Sequence, residues 1–199
     1  MNVMNPLECR LRQNEKMYRA ACGVFGGPPR VFRFYDQSDE ISMDVMVSPH
    51  LVREGICSYT TLGLIHYPVG QRRGGRPFRI ELAGAASAEL EYYPNLLSQC
   101  AFEIINARFH CQEGAVLGDF VNTYVPDSKL PHLLFCRCSF WEQELPEQEL
   151  EDKNTGWLTV VPISTAELAF LEQYSFSGLM AEFQRRKTDL TDLLRQSIF

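Results

Sequence analysis

Long apolar runs are missing from this 199-residue sequence, and no stretch approaches the ~20 consecutive apolar residues of a membrane span. Residues 1–17 are polar and periodic, whereas a secretion signal has a charged start followed by an apolar run. We therefore expect a cytoplasmic protein without a membrane partner. Its length and its 45% of hydrophobic residues predict a single domain over residues 1–199.

Basic charge is also in short supply. The 19 Lys and Arg residues are outnumbered by 25 Asp and Glu residues, which gives a net charge of −6. Lys and Arg side chains that neutralise phosphates supply most of the affinity for nucleic acid, so this balance disfavours a nucleic-acid partner. The same sign permits a basic protein partner.

The seven cysteines lack the even number and the spacing of a disulfide framework. Five of them are scattered singly, namely Cys9, Cys22, Cys57, Cys100 and Cys111. Cys136 and Cys138 share one face of a predicted strand, but a structural zinc site needs four ligands, and no second pair lies near His110. We expect reduced, buried thiols, no metal and no cofactor.

Groups suited to catalysis are sparse as well. Cys57 and His66 could in principle act as nucleophile and base, but no third orienting group and no oxyanion-hole turn is evident. A small cysteine hydrolase is therefore a minor alternative. The basic loop at residues 72–76 could touch a phosphate, but it lacks the Lys-Ser/Thr end of a P-loop and is typical of a solvated hairpin tip.

Helix signals stand near the N-terminus and in the middle of the sequence. Asn5 and Pro6 form a helix start that predicts a helix over residues 5–22, ended by Gly23. Pro94 opens a second helix with an apolar stripe at spacings of three and four residues. We expect that stripe to lie on a sheet.

The C-terminal part carries a further helix signal. Ser164 and Glu167 form a capping box that follows a continuously apolar strand, whose last ladder bonds are limited by Pro162. Two more short helices are predicted after it, one around Leu179 and the other over residues 190–198.

The pattern of apolar residues predicts seven strands, over residues 30–35, 41–47, 55–61, 78–84, 115–125, 132–140 and 157–163. The first two form a half-buried hairpin. Arg79 and Glu81 alternate with apolar residues, which predicts that Glu81 points outward. Together with the helices, the strands indicate an α+β fold in which a mainly antiparallel or mixed β-sheet is covered by helices.

Three sequence blocks resemble the suppressor-of-fused domain family. They are residues 59–64 with Tyr-Pro at 67–68, residues 79–82, and residues 158–164 with Glu167. The blocks follow the family's order and cover roughly residues 30–185. The resemblance implies a suppressor-of-fused-like fold and structural roles for the motif residues Tyr59, Gly63, His66, Tyr67, Pro68, Glu81, Pro162, Ser164 and Glu167. His66 departs from the family, in which the position before Tyr-Pro is often acidic or polar.

The resemblance also implies a function. Bacterial members are similar to immunity proteins, which bind a toxin and block it, whereas the animal member restrains a transcription factor. The animal protein carries a further C-terminal domain for which this chain has no room, so we expect the immunity role. We thus expect a protein that is not an enzyme and that neutralises a cognate protein toxin. The alternative is a peptide-binding module that adds a ligand strand to a sheet edge.

An acidic segment is the surface feature that could meet such a toxin. Its carboxylates are opposed in the sequence only by Lys153, and they are Glu142, Glu144, Glu147, Glu149, Glu151 and Asp152. Trp141 precedes them as a candidate aromatic anchor. The segment would speed encounter with a basic toxin and mimic phosphate, but its composition also suits a disordered linker. The sequence leaves the oligomeric state open.

Overall fold

A mixed β-sheet frames the protein in the computed structural model, which describes residues 5–49, 53–69, 71–138 and 140–199. Within those residues the strands are β1 (Arg30–Tyr35), β2 (Ser42–Pro49), β3 (Ile56–Leu62), β4 (Gln71–Arg73), β5 (Arg76–Ser87), β6 (Val116–Leu117), β7 (His132–Cys136), β8 (Gln148–Glu149) and β9 (Asn154–Ile163). Their spatial order is β1-β2-β3-β5-β9-β7-β6, with β4 paired to β5 and β8 paired to β9. Only the β5–β9 pairing among them is parallel.

Helices cover both faces of this sheet. In the described chain they are α1 (Pro6–Phe25), α2 (Tyr93–Asn106), α3 (Thr165–Tyr174) and α4 (Phe176–Arg185). Both α1 and α2 contact β2 and β3, while the side chains of α4 pack on β7 and β9. The predicted α+β fold with a mixed sheet covered by helices is therefore confirmed. None of the described helices has the length and apolarity to cross a membrane.

The strand β2 shows why the middle of the sheet is buried on both faces. Met43 and Val45 belong to the core beneath α2, whereas Met46 belongs to the core beneath α1, and all three are fully buried. The predicted half-buried hairpin is therefore wrong for β2, because a helix from each side covers it. β1 lies at the sheet edge and stays largely exposed.

The N-terminal helix begins as predicted and ends later than predicted. The side chain of Asn5 caps α1 by accepting a hydrogen bond from a first-turn amide at 3.0 Å. Gly23 lies within the helix, which continues to Phe25 and ends at Gly26 with a φ of +67°. Phe25 is fully buried and stacks on Trp141, so tertiary packing holds the last turn together beyond the glycine.

Two predicted strands are shorter in the structure. Over residues 115–125 only β6 forms, because Asp119 adopts a φ of +52° and a 3-10 turn, Val121–Thr123, follows it. The strand predicted over residues 132–140 ends at Cys136 as β7. Residue 139 of that prediction lies outside the described residues.

The last helix predicted, over residues 190–198, does not form. α4 ends at Arg185, and Lys187 then turns the chain with a φ of +52°. The carboxylate of Asp189 accepts hydrogen bonds from the amide and the hydroxyl of Thr191, at 3.0 and 2.7 Å. Such local side-chain bonds compete with the helical backbone pattern, and the segment forms turns instead.

Candidate partner-binding surface

The acidic segment, residues 142–152, is a loop apart from the short strand β8, and it packs against the core cluster beneath α1. Trp141 precedes the loop and is only 8% exposed, with its ring stacked on Phe25 and its indole nitrogen donating to Ser58 Oγ at 2.8 Å. Leu150 is buried in the same cluster. The ring of Trp141 thus packs mainly against the protein's own core, and Trp141 also lines the cavity beside Glu144.

Arginines from elsewhere in the chain oppose part of the acidic segment. Glu147 pairs with Arg73 and also, at 3.0 Å, with Arg137, while Glu149 pairs with Arg76. Lys153 is the cation that opposes the segment in the sequence, and the fold adds Arg73 and Arg76 from the β4–β5 hairpin and Arg137 from the end of β7. For the same reason the basic loop at residues 72–76 is not merely a solvated tip.

Two carboxylates of the acidic segment keep their charge free for a partner. Glu142 and Glu144 are exposed, and no described residue forms a hydrogen bond or an ion pair with either side chain. Glu151 and Asp152 lie instead near α1, where Gln13 donates to Asp152 at 3.0 Å. Glu144 is thus an unpaired carboxylate on the side of the segment that faces α4.

Glu144 borders a cleft between the acidic segment and α4. A cavity of about 400 Å³ extends from Glu144 to Trp157 on β9. Past Arg137 and Cys138, which border both spaces, a second cavity of about 1080 Å³ continues along α4. Its apolar lining includes Phe176, Met180, Phe183 and Leu190. The cleft thus combines an apolar wall with a free carboxylate, which suits an apolar and a basic side chain of a protein partner.

A disulfide joins Cys136 and Cys138 where β7 ends beside this cleft. Their Cα atoms are 5.5 Å apart, within the usual range for a disulfide. This is shorter than the ~6.6 Å between alternate residues of a strand, because β7 ends at Cys136 and the chain bends there. The expectation of reduced thiols is therefore wrong for this pair. The five remaining cysteines are free, as predicted.

The motif residue Glu81 is fully buried, and its predicted outward orientation is wrong. Its carboxylate accepts hydrogen bonds from the Thr61 hydroxyl at 2.6 Å and from the amides of Gly63, Leu64 and Ile65 at 2.7, 3.2 and 3.4 Å. Burial raises the pKa of Glu81 to about 7, although these four donors lower it. The first two motif blocks therefore meet in one clamp that fixes the turn after β3.

Neighbouring motif residues also stabilise the fold. Tyr59 is buried, and its ring lies 4.6 Å from that of Tyr93 on α2. The amide of Tyr67 closes the 3-10 turn Leu64–His66 by donating to the carbonyl of Leu64 at 2.9 Å. Pro68 follows on the surface.

The third motif block ends in a buried ion pair. Ser164 and Glu167 form the predicted capping box, with reciprocal hydrogen bonds of 3.0 and 2.9 Å. Arg195 donates to both carboxylate oxygens of Glu167, at 2.6 and 2.9 Å, and to the carbonyl of Pro162 at 3.0 Å. Arg195 could not be identified from the sequence, because it stands 28 positions after its partner in no recognisable motif.

The hydrogen-bonded sites around Glu81 and Glu167 are built from the motif residues that resemble a known family. Comparison with known proteins identifies that family. The family model described as Suppressor of fused protein (SUFU) matches residues 39–196. The chain belongs to the suppressor of fused family. The resemblance seen in the three blocks is therefore confirmed.

Relatives of this suppressor of fused family member span nearly its whole length. It is 33% identical over 187 residues to immunity protein YqcF of Bacillus subtilis strain 168, covering 94% of this chain and 97% of that protein. The crystal structure of a SUFU homologue from Neisseria gonorrhoeae FA 1090 matches with a TM-score of 0.73 at 17% identity, covering 94% and 97% of the two chains. The Sufu–Fu complex structure matches at 0.64 and 14%, covering 94% and 92%. The two structures show a shared fold.

The geometry of this suppressor of fused domain does not support the cysteine hydrolase alternative. Cys57 is the second residue of β3 and His66 follows the other end, so about 16 Å of strand separates Cys57 from Leu62 alone. His66 Nε2 lies 2.7 Å from Asn14 Oδ1, and burial chiefly lowers the pKa of His66 to about 4. Among the described residues, no cluster of His, Cys, Asp and Glu could hold a metal ion.

Proposed function

We propose that this protein is a bacterial immunity protein that binds a cognate toxin in the cytoplasm and neutralises it. The observation that carries the proposal is the 33% identity to immunity protein YqcF over 94% of this chain and 97% of the relative. Because this sequence similarity spans nearly the whole of both chains, it includes surface residues as well as core residues. It therefore supports assigning the immunity role of the relative to this protein.

The proposed mechanism is stoichiometric occlusion of a surface that the toxin needs. Occlusion requires a rigid framework with an accessible face, and it requires no reacting group. The family motifs supply the framework, because the carboxylates of Glu81 and Glu167 are fully buried and hydrogen-bonded. The accessible face is then free to match one toxin.

The face that we propose for toxin binding is the cleft with the exposed part of the acidic segment. Glu142 and Glu144 carry charge that no described residue neutralises, and the wall along α4 is apolar. Glu147, Glu149, Glu151 and Asp152 add negative potential around it, although Glu147 and Glu149 are paired with arginines and Asp152 is paired with Lys153. A toxin with a basic, partly apolar surface would complement this face and be steered to it.

Co-expression tests the proposal. Each gene that neighbours the one for this protein is expressed alone in a sensitive host to find products that stop growth, and is then expressed together with this protein. We expect this protein to restore growth in the presence of one toxin. The two proteins should co-purify at a fixed ratio, and their binding should weaken as the salt concentration rises. Failure to relieve any of those toxins would overturn the immunity role, whereas rescue without a complex would overturn neutralisation by binding.

A further inference from the structure

The edge strand β1 carries an exposed apolar surface that the proposed toxin site does not use. β1 lies at the end of the sheet and pairs only with β2 among the described strands. Its side chains Val31, Phe32 and Tyr35 are 48%, 44% and 54% exposed. An apolar edge strand with unpaired backbone groups is a template for pairing with another strand.

The register shows which backbone groups of β1 are unpaired. The amide of Asp36 donates to the carbonyl of Ile41 at 3.0 Å, in the same register as the β1–β2 ladder. In an antiparallel pair the bonding residues alternate, so the even-numbered residues of β1 bond to β2. The amides and carbonyls of Val31, Arg33 and Tyr35 therefore point to the open edge.

We infer that β1 is the contact strand of a homodimer, in which the β1 strands of two copies pair antiparallel about a twofold axis at Arg33. In this register Val31 lies opposite Tyr35 of the other copy, and Arg33 lies opposite itself. These are the three residues whose amides and carbonyls face outward, so all six groups of each copy find partners. The sheet becomes continuous through both copies.

The side chains of β1 are self-complementary in this register. Val31 and Tyr35 form an apolar pair on one face, and on the other face Phe32 covers Phe34, which is only partly buried in one copy. The two Arg33 side chains would repel, but each is held by Asp44 of its own copy through bonds of 2.7 and 2.8 Å. The axis therefore carries no net charge from these groups.

A second copy suits this edge better than a toxin does. Both members of each apolar pair, Val31 with Tyr35 and Phe32 with Phe34, belong to the six residues of β1. A second copy of β1 therefore supplies every partner that this strand needs. The acidic segment joins the sheet through β8 on β9, and β2, β3 and β5 separate β9 from β1. Dimerisation would therefore leave the proposed toxin site open on each copy.

Sedimentation of the full chain with a proline in β1 tests this inference. Val31→Pro removes an amide that points outward and leaves the β1–β2 ladder intact, because Val31 does not donate to β2. Val31→Ala is the matched control, since it keeps that amide and loses most of the side chain. We expect a concentration-dependent dimer for the wild type and for Val31→Ala, and a monomer for Val31→Pro with cooperative thermal unfolding retained.

A wild-type protein that stays monomeric, or a Val31→Pro protein that stays dimeric, would overturn the inference. A monomer whose toxin binding is lost in Val31→Pro would show that the occupant is a strand of the partner, and it would also overturn the second-copy assignment. Neither result bears on the co-expression rescue, which tests the immunity role separately.

Cross-linking tests the register. Cα atoms of directly opposed, hydrogen-bonded residues are about 5.5 Å apart, within reach of a disulfide. Under mild oxidation we therefore expect Arg33→Cys to form a covalent dimer. Phe32→Cys should not, because Phe32 lies opposite Phe34 and the two substituted positions are beyond the ~7 Å limit for a disulfide. Cross-linking through Phe32→Cys alone would overturn the axis at Arg33, and the wild type reports the background from native thiols.

Discussion

Arg195 binds both carboxylate oxygens of Glu167, at 2.6 and 2.9 Å, and thereby fastens the last residues of the chain to the start of α3. Both side chains are buried, at 7% and 0% exposure. The amide of Ile198 also donates to Glu167, at 3.0 Å. One carboxylate therefore holds together a helix start and a segment without regular structure.

Loss of this arginine should destabilise the protein severely. Arg195→Met leaves the Glu167 carboxylate buried without its ion pair, and we expect the free energy of unfolding to fall by about 3–5 kcal/mol. Arg185→Met is the control, because its side chain is 64% exposed and an exposed pair with Glu182 contributes about 1 kcal/mol or less. Urea titration measures both. If the free energy of unfolding falls equally in the two variants, the buried Glu167–Arg195 pair contributes no more to stability than an exposed pair does.

The buried carboxyl of Glu81 should give stability a distinct pH dependence. Its pKa is raised from 4.5 to about 7, so between these values the folded state binds the proton more tightly than the unfolded state. The contribution of this group is fully present below pH 4.5 and is lost as pH rises through about 7. We expect the stability advantage over Glu81→Gln to shrink by about 3 kcal/mol across that window.

Urea titrations of the wild type and Glu81→Gln, from below pH 4.5 to above pH 7, measure the difference between their free energies of unfolding. The other ionisable groups are the same in both proteins, so their contributions cancel in this difference. Should Glu81→Gln fail to fold, carbon-13 NMR of labelled glutamates in the wild type gives the pKa directly. A constant difference with pH, or a carboxyl that titrates at its ordinary value, would contradict the prediction.

Neutralising the free charge of the acidic segment should weaken toxin binding. For Glu142→Gln with Glu144→Gln we expect an affinity loss of roughly 2- to 30-fold at low salt, because exposed ion pairs contribute about 0.2–1 kcal/mol each. Glu89→Gln with Glu91→Gln is the control, since it makes the same charge change at exposed positions before α2. Calorimetry with the toxin found by co-expression compares them. Equal affinities would move the docking face elsewhere on the molecule.

The disulfide between Cys136 and Cys138 should be visible by mass. Alkylation of the unfolded protein without reductant is expected to modify only the five free cysteines, and prior reduction should raise the number of adducts to seven. The protein is taken from cells lysed in acid, which prevents thiol exchange by suppressing thiolate. Seven adducts without reductant would show that both thiols are reduced in the cell.

Elements whose signals are local could be predicted from the sequence. Asn5 caps α1, and Ser164 with Glu167 begins α3, because each cap forms between residues within one helical turn. The helix signal at Pro94, which lies in the first turn of α2, predicted that helix for the same reason. In each case the residues that decide the structure are adjacent in the sequence.

Features that depend on distant partners could not be predicted. Alternation alone placed Glu81 outward, but the turn at Gly63 covers that position and supplies donors for the carboxylate. Likewise Trp141 faces inward because Phe25, more than a hundred residues earlier, stacks on it. The cleft itself lies between Glu144 and α4, which are separate in the sequence, so its existence depends on the complete fold.

The parallel pairing of β5 with β9 imposes an order on folding during synthesis. Strands β1, β2, β3 and β5 are complete once Ser87 has left the ribosome, but the central edge of β5 pairs with Asn154 to Thr159. β7 likewise needs β9 as its neighbour. Contacts this distant in sequence form late and slowly. The nascent chain therefore carries an antiparallel half-sheet whose β5 edge stays unpaired until β9 is synthesised and joins the two halves.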